Sequence, residues 1–350
     1  MNFIKHILIN FGLIVALTAC GGNTGGIESF GTETGTVEPS QEMTTLAINA
    51  SAVTSYAPIF IAEAEGYFED VGIQLEYITL NRSIDAVAPL LTGDIDIYAS
   101  SFNAGILNVL GQEDGVKVVA DRGHISPDDE CAYIGLLFNK ELYASGALTE
   151  PADLAGRNVA SSTTAVTGYI LSEYLAQAGL SLDDVTIVDL PSASLVDSME
   201  NGTVDVISNV EPRLTQLVDA GNAVLAVEGS DVVGNLQTSL LVFGGTLLGE
   251  NREVGVRFLT AYLRAVQQYN QGKTDRNVEI LAEYTGESEE ALRTACWASI
   301  SSDGWIDFDS AVTGFQQWNI DQGLLDQAIT EDQFWDPSLL EDAWERLDLE

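Results

Sequence analysis

The chain has 350 residues, with 53 Asp and Glu against 14 Lys and Arg and a formal net charge of −39. That balance excludes nucleic-acid binding, because phosphate contacts need a basic face that so few cations cannot assemble. The acids are dispersed among apolar residues, so they read as solvated faces of helices and strands, suited to solubility and compatible with a salty milieu.

At the N-terminus Lys5 precedes an apolar run from Ile7 to Leu17, which ends in Leu17-Thr18-Ala19-Cys20. The run is shorter than the roughly 20 apolar residues a bilayer requires, and small residues lead into the cysteine, so residues 1–19 are expected to be a signal peptide. The motif resembles a bacterial lipobox, which implies that Cys20 is the first mature residue and bears the lipid, palmitate included. The exported protein is then held on a cell membrane, facing the periplasm or the cell exterior. An ordinary secretory signal with a chance cysteine is the alternative. Residues 20–43 are rich in Gly, Thr, Ser and Glu and read as a flexible tether. The region from Thr44 to Glu350 holds no further apolar stretch of spanning length and is long enough for two lobes. Besides Cys20 there are only Cys131 and Cys296, too few for a thiol metal site or a disulfide framework. Two buried unpaired thiols are expected, with pairing in an oxidising compartment as the alternative.

In chain order, Leu46 to Ala50 reads as a strand, Pro58 to Asp70 as a helix ended by Gly72, and Ile73 to Leu80 as a second strand. A helix over Ile84 to Leu91, a strand over Ile95 to Ala99, a helix over Gly105 to Leu110 and a strand over Val116 to Ala120 complete the first half. After a break near 139–155 the same grammar returns. Arg157 to Ala160 is a strand, Ser161 to Thr164 a polar loop, Val166 to Ala178 a helix, and Val185 to Leu190 a strand. A helix from Ala193 to Glu200 then leads to a strand from Val204 to Ser208. Strands alternating with helices predict mostly parallel sheets with helices on their faces. Both halves contain a Gly-x-x-Asp step, Gly93 to Asp96 and Gly202 to Asp205, which a helix cap followed by a strand explains without any ligand role. Two apolar β-prone runs, Ala132 to Phe138 and Thr238 to Phe243, are expected to carry the chain out to an inserted lobe and back. Beyond them Arg252 to Gln271 places Val256, Leu259, Tyr262, Leu263 and Val266 at helical spacing, predicting a core-facing stripe.

Ala57-Pro58-Ile59-Phe60-Ile61-Ala62, then Glu65-Gly66-Tyr67-Phe68 and Gly72-Ile73, resemble the opening signature of a solute-binding protein family. That family serves ABC importers of nitrate, sulfonates, taurine and thiamine-pyrimidine precursors. Gly93-Asp94-Ile95-Asp96, Asp153-Leu154-Ala155-Gly156-Arg157 and Gly202-Thr203-Val204-Asp205 fall where the pattern repeats. The resemblance implies a two-lobed α/β type II periplasmic-binding-protein fold with a ligand cleft between the lobes. Lobe 1 is expected over 44–135 and 241–350 and lobe 2 over 136–240.

In open α/β sheets ligands bind beyond the carboxyl ends of the strands, where helix N-termini present free N–H groups. The candidate ligand residues are therefore those after each strand. The first lobe offers Ser55, Tyr56, Asn81, Arg82, Ser100, Ser101, Asn103 and Arg122, with His124 as a hydrogen-bonded loop residue. The second offers Ser161, Ser162, Thr163, Thr164, Thr167, Asn209 and Glu211. The Ser161–Thr164 loop can hold an anion or merely cap the next helix. Arg82 and Arg122 can pair with an anion or with surface acids. Tyr56, Glu211 and the turn residue Trp305 suit a flat heterocycle.

These residues pull two ways, and the expected ligand leans to a vitamin-like heterocycle such as a thiamine-pyrimidine precursor or riboflavin, with nitrate, an alkanesulfonate or taurine as the alternative. The expected protein is a monomeric binding subunit, without cofactor or metal, that delivers its solute to ABC permease subunits. A thiamine-pyrimidine synthase-like enzyme and a receptor's sensory partner are the rival classes. The enzyme chemistry is linked to a lysine, a histidine and a cysteine-rich stretch, whereas this chain has four lysines and no cysteine cluster.

Overall fold

The computed structural model describes residues 43–347, except 81–82, 113–114, 189 and 192–193. The predicted signal peptide, Cys20 and tether therefore lie outside the described residues, as do the candidate ligands Asn81 and Arg82.

Two five-stranded sheets organise the chain. The first orders β2 (Ile73–Ile78), β1 (Thr44–Asn49), β3 (Ile97–Ser101), β10 (Leu236–Phe243) and β4 (Lys117–Ile125). The second orders β7 (Thr186–Val188), β6 (Asn158–Ala160), β8 (Val206–Val210), β5 (Ile134–Asn139) and β9 (Ala223–Glu228). β1 is parallel to β2 and β3, and β6 to β7 and β8, as strand-helix-strand units require. One strand in each sheet is reversed: β10 is antiparallel to β3 and β4, and β5 to β8 and β9. These are the two apolar runs expected to cross between lobes. Each belongs to one sheet, and the crossings proper are the connections at 126–133 and 229–235. β10 lies inside its sheet with all eight residues buried; Leu240–Phe243 form its apolar run, while Gln237, Thr238 and Ser239 are buried polar residues.

The repeated Gly-x-x-Asp step has one structural job in both lobes. Gly93 and Gly202 take left-handed φ of 77° and 71°, ending a helix where a Cβ would be strained. The aspartate three residues on then pins the neighbouring strand. Ala47 N–H donates to Asp96 Oδ2 at 2.8 Å, and Asn158 N–H donates to Asp205 Oδ2 at 3.0 Å.

Three expectations change. The helix predicted over 58–70 is broken at Gly66 into Ala57–Ala64 and Tyr67–Asp70. β4 runs five residues past Ala120, so Arg122 and His124 are strand residues and not loop residues. It can continue through these polar residues because the fully buried Asp121 carboxylate accepts four hydrogen bonds. The donors are Gly123 N (2.7 Å), Gln237 Nε2 (2.7 Å), His124 Nδ1 (2.7 Å) and Ser301 N (2.8 Å). Finally, Cys131 and Cys296 are joined in a disulfide, with Cα atoms 5.8 Å apart across a sequence separation of 165. Cys131 lies in the β4–β5 crossing and Cys296 comes after the helix Glu289–Thr294, a juxtaposition that spacing in sequence does not reveal.

The helix Arg252–Tyr269 buries Val256, Leu259, Tyr262, Leu263 and Val266, as their spacing predicts. It packs against helices Ala57–Ala64 and Ser338–Leu347, so the C-terminal helices return to the first sheet.

Candidate functional site

Residues after β1 and β3 face residues after β8 and the start of helix Val166–Ala176 across a cleft. It comprises two cavities of about 490 Å³ and 630 Å³ that share Ser101, Ala165, Thr167 and Asn209 on their walls. The first cavity brings together Ser55, Tyr56, Ser100, Ser101, Arg122, Thr167, Asn209 and Glu211. The second adds Asn103, Ser161, Ser162, Thr163 and Thr164. Trp305 lines neither.

Besides helix Ala57–Ala64, whose preceding residues Ser55 and Tyr56 line the same wall, three helices of seven or more residues begin at this cleft, and their N-terminal N–H groups carry the positive end of the helix dipole. Two are already capped. Asn103 Oδ1 accepts from Ile106 N–H (3.2 Å) at the start of helix Ala104–Gln112. Its amide donates to Tyr98 Oη and Ser101 O, both at 3.0 Å, so this predicted ligand is engaged within its own lobe. Glu211 caps helix Arg213–Asp219: its carboxylate accepts from Thr215 N (2.9 Å), Thr215 Oγ1 (2.6 Å) and Cys296 N (3.1 Å). With three donors in place, Glu211 has little left to offer a ring N–H.

The third helix, Val166–Ala176, starts at Ala165 with no side-chain cap, and Val166 and Thr167 line the cleft. The Ser/Thr loop before it does not serve as its cap. Ser161 Oγ donates to Ser162 O (3.3 Å), and Ser162 Oγ accepts from Thr164 N (3.3 Å). Ser162, Thr163 and Thr164 are exposed to the cleft.

From the other lobe comes Arg122, only 2% exposed. Its Nη1 donates to Ser55 O at 2.6 Å, and its guanidinium carbon lies 4.5 Å from the Tyr56 ring centroid. Nε has no partner, and no carboxylate forms an ion pair with it among the described residues. A buried cation held by a carbonyl and a ring lacks the anion that normally offsets desolvation. Its neighbour Tyr133 is buried, and burial pushes its hydroxyl pKa up, so it stays a neutral donor.

Sequence reasoning missed Tyr133, Thr238 and Ser239, which sit in or beside runs read only as crossing strands, yet line the cavity. It also missed a polar chain along the wall: Arg213 Nη1 donates to Gln216 Oε1, and Gln216 Nε2 donates to Glu287 Oε1 at 3.3 Å. The aromatic candidate Trp305 is used elsewhere. Trp305 is 38% exposed and packs edge-on against Trp335 at 4.5 Å, beside Trp344 at 5.9 Å. Its turn is held there by the Asp121 N to Gly304 O and Ser301 N to Asp121 bonds. Tyr169 packs against Phe315 and Trp318, each at 5.8 Å. His124 bonds Asp121; burial pulls its pKa down, but that bond and the charges of Asp121 and Asp129 outweigh it and the net shift is upward.

The family model described as NMT1/THI5 like matches residues 53–271. No curated protein matches the chain in sequence. Among solved structures, the chain is similar to the alkanesulfonate-binding protein SsuA from Xanthomonas axonopodis pv. citri bound to MOPS. That pair is 18% identical, covers 84% of this chain and 99% of the other, and has a TM-score of 0.64. The periplasmic nitrate-binding protein NrtA from Synechocystis PCC 6803 matches at 17% identity over 88% of this chain and 90% of that one, with a TM-score of 0.67. The desulfurization enzyme DSZB matches at 17% identity over 87% and 99%, with a TM-score of 0.65. At these identities the likeness is one of fold, a two-lobed α/β architecture.

Proposed function

The chain belongs to the NMT1/THI5-like family, and from that premise we propose that it is the exported solute-binding subunit of an ABC importer, taking a small oxyanion of the sulfonate or nitrate type. The observation that carries the ligand class is Arg122, buried and in no ion pair with a carboxylate among the described residues, facing the same cavity as the uncapped start of helix Val166–Ala176. Together they present a fixed cation and oriented N–H donors, the pairing that suits a three-oxygen anion. The heterocycle reading loses support because Tyr56 lies under Arg122, Glu211 is committed to three donors and Trp305 is outside the cleft. The neighbours named for alkanesulfonate and nitrate binding support the same class.

Solute docks on one lobe, and closure about the two crossings buries it against the other by shifting an existing equilibrium. With the crossings at 126–133 and 229–235, lobe 1 is then 44–125 with 236–347 and lobe 2 is 134–228, a few residues from the boundaries expected at 135/136 and 240/241. The permease then distinguishes the closed form by relative lobe position. No bond is made or broken. The titratable groups on the described cleft walls are Tyr56, Arg122, Tyr133, Glu211, Arg213 and Glu287, a set suited to holding charge in place. Anchoring through Cys20 fits this role by keeping the subunit near its permease.

The test is a thermal-shift and calorimetric screen against nitrate, ethanesulfonate, hexanesulfonate, taurine, a thiamine pyrimidine, thiamine and riboflavin. A ligand present at 100 times its Kd adds about 2.7 kcal/mol to the folded state. At least one anion is expected to stabilise the protein; stabilisation by a neutral heterocycle with no response to any anion would overturn the reading.

A further inference from the structure

Residues 296–301 form no regular element, yet they are bonded to both cleft walls and to the crossing between them. On the lobe 2 side, Cys296 N–H donates to Glu211 Oε1 at 3.1 Å. In the β4–β5 crossing, Cys296 is disulfide-bonded to Cys131, and Ser299 Oγ donates to Asp129 Oδ1 at 2.6 Å. On β4, His124 N–H donates to Ser299 O at 2.9 Å, and Ser301 N–H donates to the buried Asp121 carboxylate at 2.8 Å. Arg122 lies between those two β4 residues. Behind the segment, helix Arg252–Tyr269 and the residue after it grip the backbone: Tyr269 Oη donates to Ala298 O (2.6 Å) and Asn270 Nδ2 to Ile300 O (3.0 Å).

We propose that segment 296–301, fastened by the Cys131–Cys296 disulfide, is the positioning element of the hinge, setting the angle at which Arg122 and Glu211 face each other. A hinge made only of two crossings moves by changes in a few backbone dihedrals. Here one crossing is tied covalently to a third strip of chain that is itself anchored to the first sheet's helix and to the residue capping a lobe 2 helix. Rotation of lobe 2 through Glu211 must therefore carry Cys296 with it, and Cys296 carries the crossing. The disulfide narrows the range of lobe angles as well as stabilising the fold, and it requires the oxidising compartment that export provides. The consequence for affinity rests on the cleft being the ligand site; the consequence for lobe geometry does not.

Cys131 is exposed, so a reductant reaches the bond in the folded protein. The test compares small-angle scattering of the ligand-free protein before and after reduction with a phosphine, with far-UV circular dichroism recorded on the same samples. The double variant Cys131→Ser/Cys296→Ser and the milder Ser299→Ala, which removes only the Asp129 bond, run alongside. Reduction is expected to shift the radius of gyration upward and broaden the pair-distance distribution with the dichroism unchanged, and Ser299→Ala to move both the same way by less. A lower Tm with an unchanged scattering profile, or loss of the dichroism on reduction, would make the bond a staple for the fold and overturn the proposal. A second arm measures hexanesulfonate binding to the oxidised and reduced protein. Because the scattering arm contains no ligand, a wrong ligand class leaves its result intact.

Discussion

Replacing Arg122 with Met separates a ligand-holding role from a structural one. The substitution keeps a long flexible side chain over the Tyr56 ring and deletes the charge. The ligand-free protein loses one hydrogen bond to Ser55 O and a cation–π contact worth about 0.5–2 kcal/mol. It gains relief from keeping a guanidinium buried with Nε unpartnered and in no ion pair among the described residues. These oppose each other, so apo stability is expected to change by less than about 1 kcal/mol. The bound state loses charge-assisted hydrogen bonds of about 1.5–3 kcal/mol each. A net loss of about 3 kcal/mol raises the Kd for an anion about a hundredfold. Urea denaturation of the free protein and calorimetric titration with the tightest anion of the screen supply both numbers. An affinity within threefold of the parent, or an apo protein weakened by several kcal/mol, would refute the reasoning and return Arg122 to a purely structural role.

Thr167→Asp puts a carboxylate at the uncapped start of helix Val166–Ala176 and makes opposite-signed predictions from one change. The free protein gains about 0.3–1 kcal/mol from the helix dipole, while anion binding is abolished; thermal melts and titration on the same sample check both. His124 carries a folded-state pKa raised above its usual 6.5, so its contribution to stability is present in full below that value. It fades as pH rises from there through the folded pKa, and a Tm–pH profile should show a decline in that window that His124→Gln flattens. If the His124→Gln profile keeps the same slope, His124 is not the group that sets the decline.

How far the molecule can be read from its sequence depends on whether a residue's partners are close in the chain. The stripe on Arg252–Tyr269 and the paired Gly-x-x-Asp steps were legible because periodicity and local caps decide them. The continuation of β4 through Asp121, Arg122, Gly123 and His124 was not, since the donors that make it possible come from Gln237 and Ser301. Within the cleft, the Ser161–Thr164 loop and Thr167 were found by the rule that ligands gather beyond parallel strand ends. That rule could not see Tyr133 or Thr238 in the runs read as crossings, and Trp305, taken for the cleft from its turn and its aromatic ring, lies outside it because bonds to Asp121 hold that turn. The disulfide is the extreme case, joining residues 165 apart with nothing local to mark them.

A chain with a net charge of −39 is at first sight a poor receptor for an anion. The objection weakens with distance and with burial. Exposed acids farther than about 8 Å from the ligand are largely screened at physiological ionic strength, whereas a guanidinium inside the protein is screened far less. Of the acids on the described cleft walls, Glu211 is occupied by Thr215 and Cys296, and Glu287 is bonded to Gln216, which Arg213 also reaches. The potential at the head-group position is thus governed by Arg122 and the open helix start. The starts of helices Ala104–Gln112 and Arg213–Asp219 are filled by the chain's own Asn103 and Glu211, whereas that of Val166–Ala176 is open in the same cavity as Arg122, which is where the anion is expected to sit. The global charge then acts mainly on solubility and encounter, and local geometry selects the ligand.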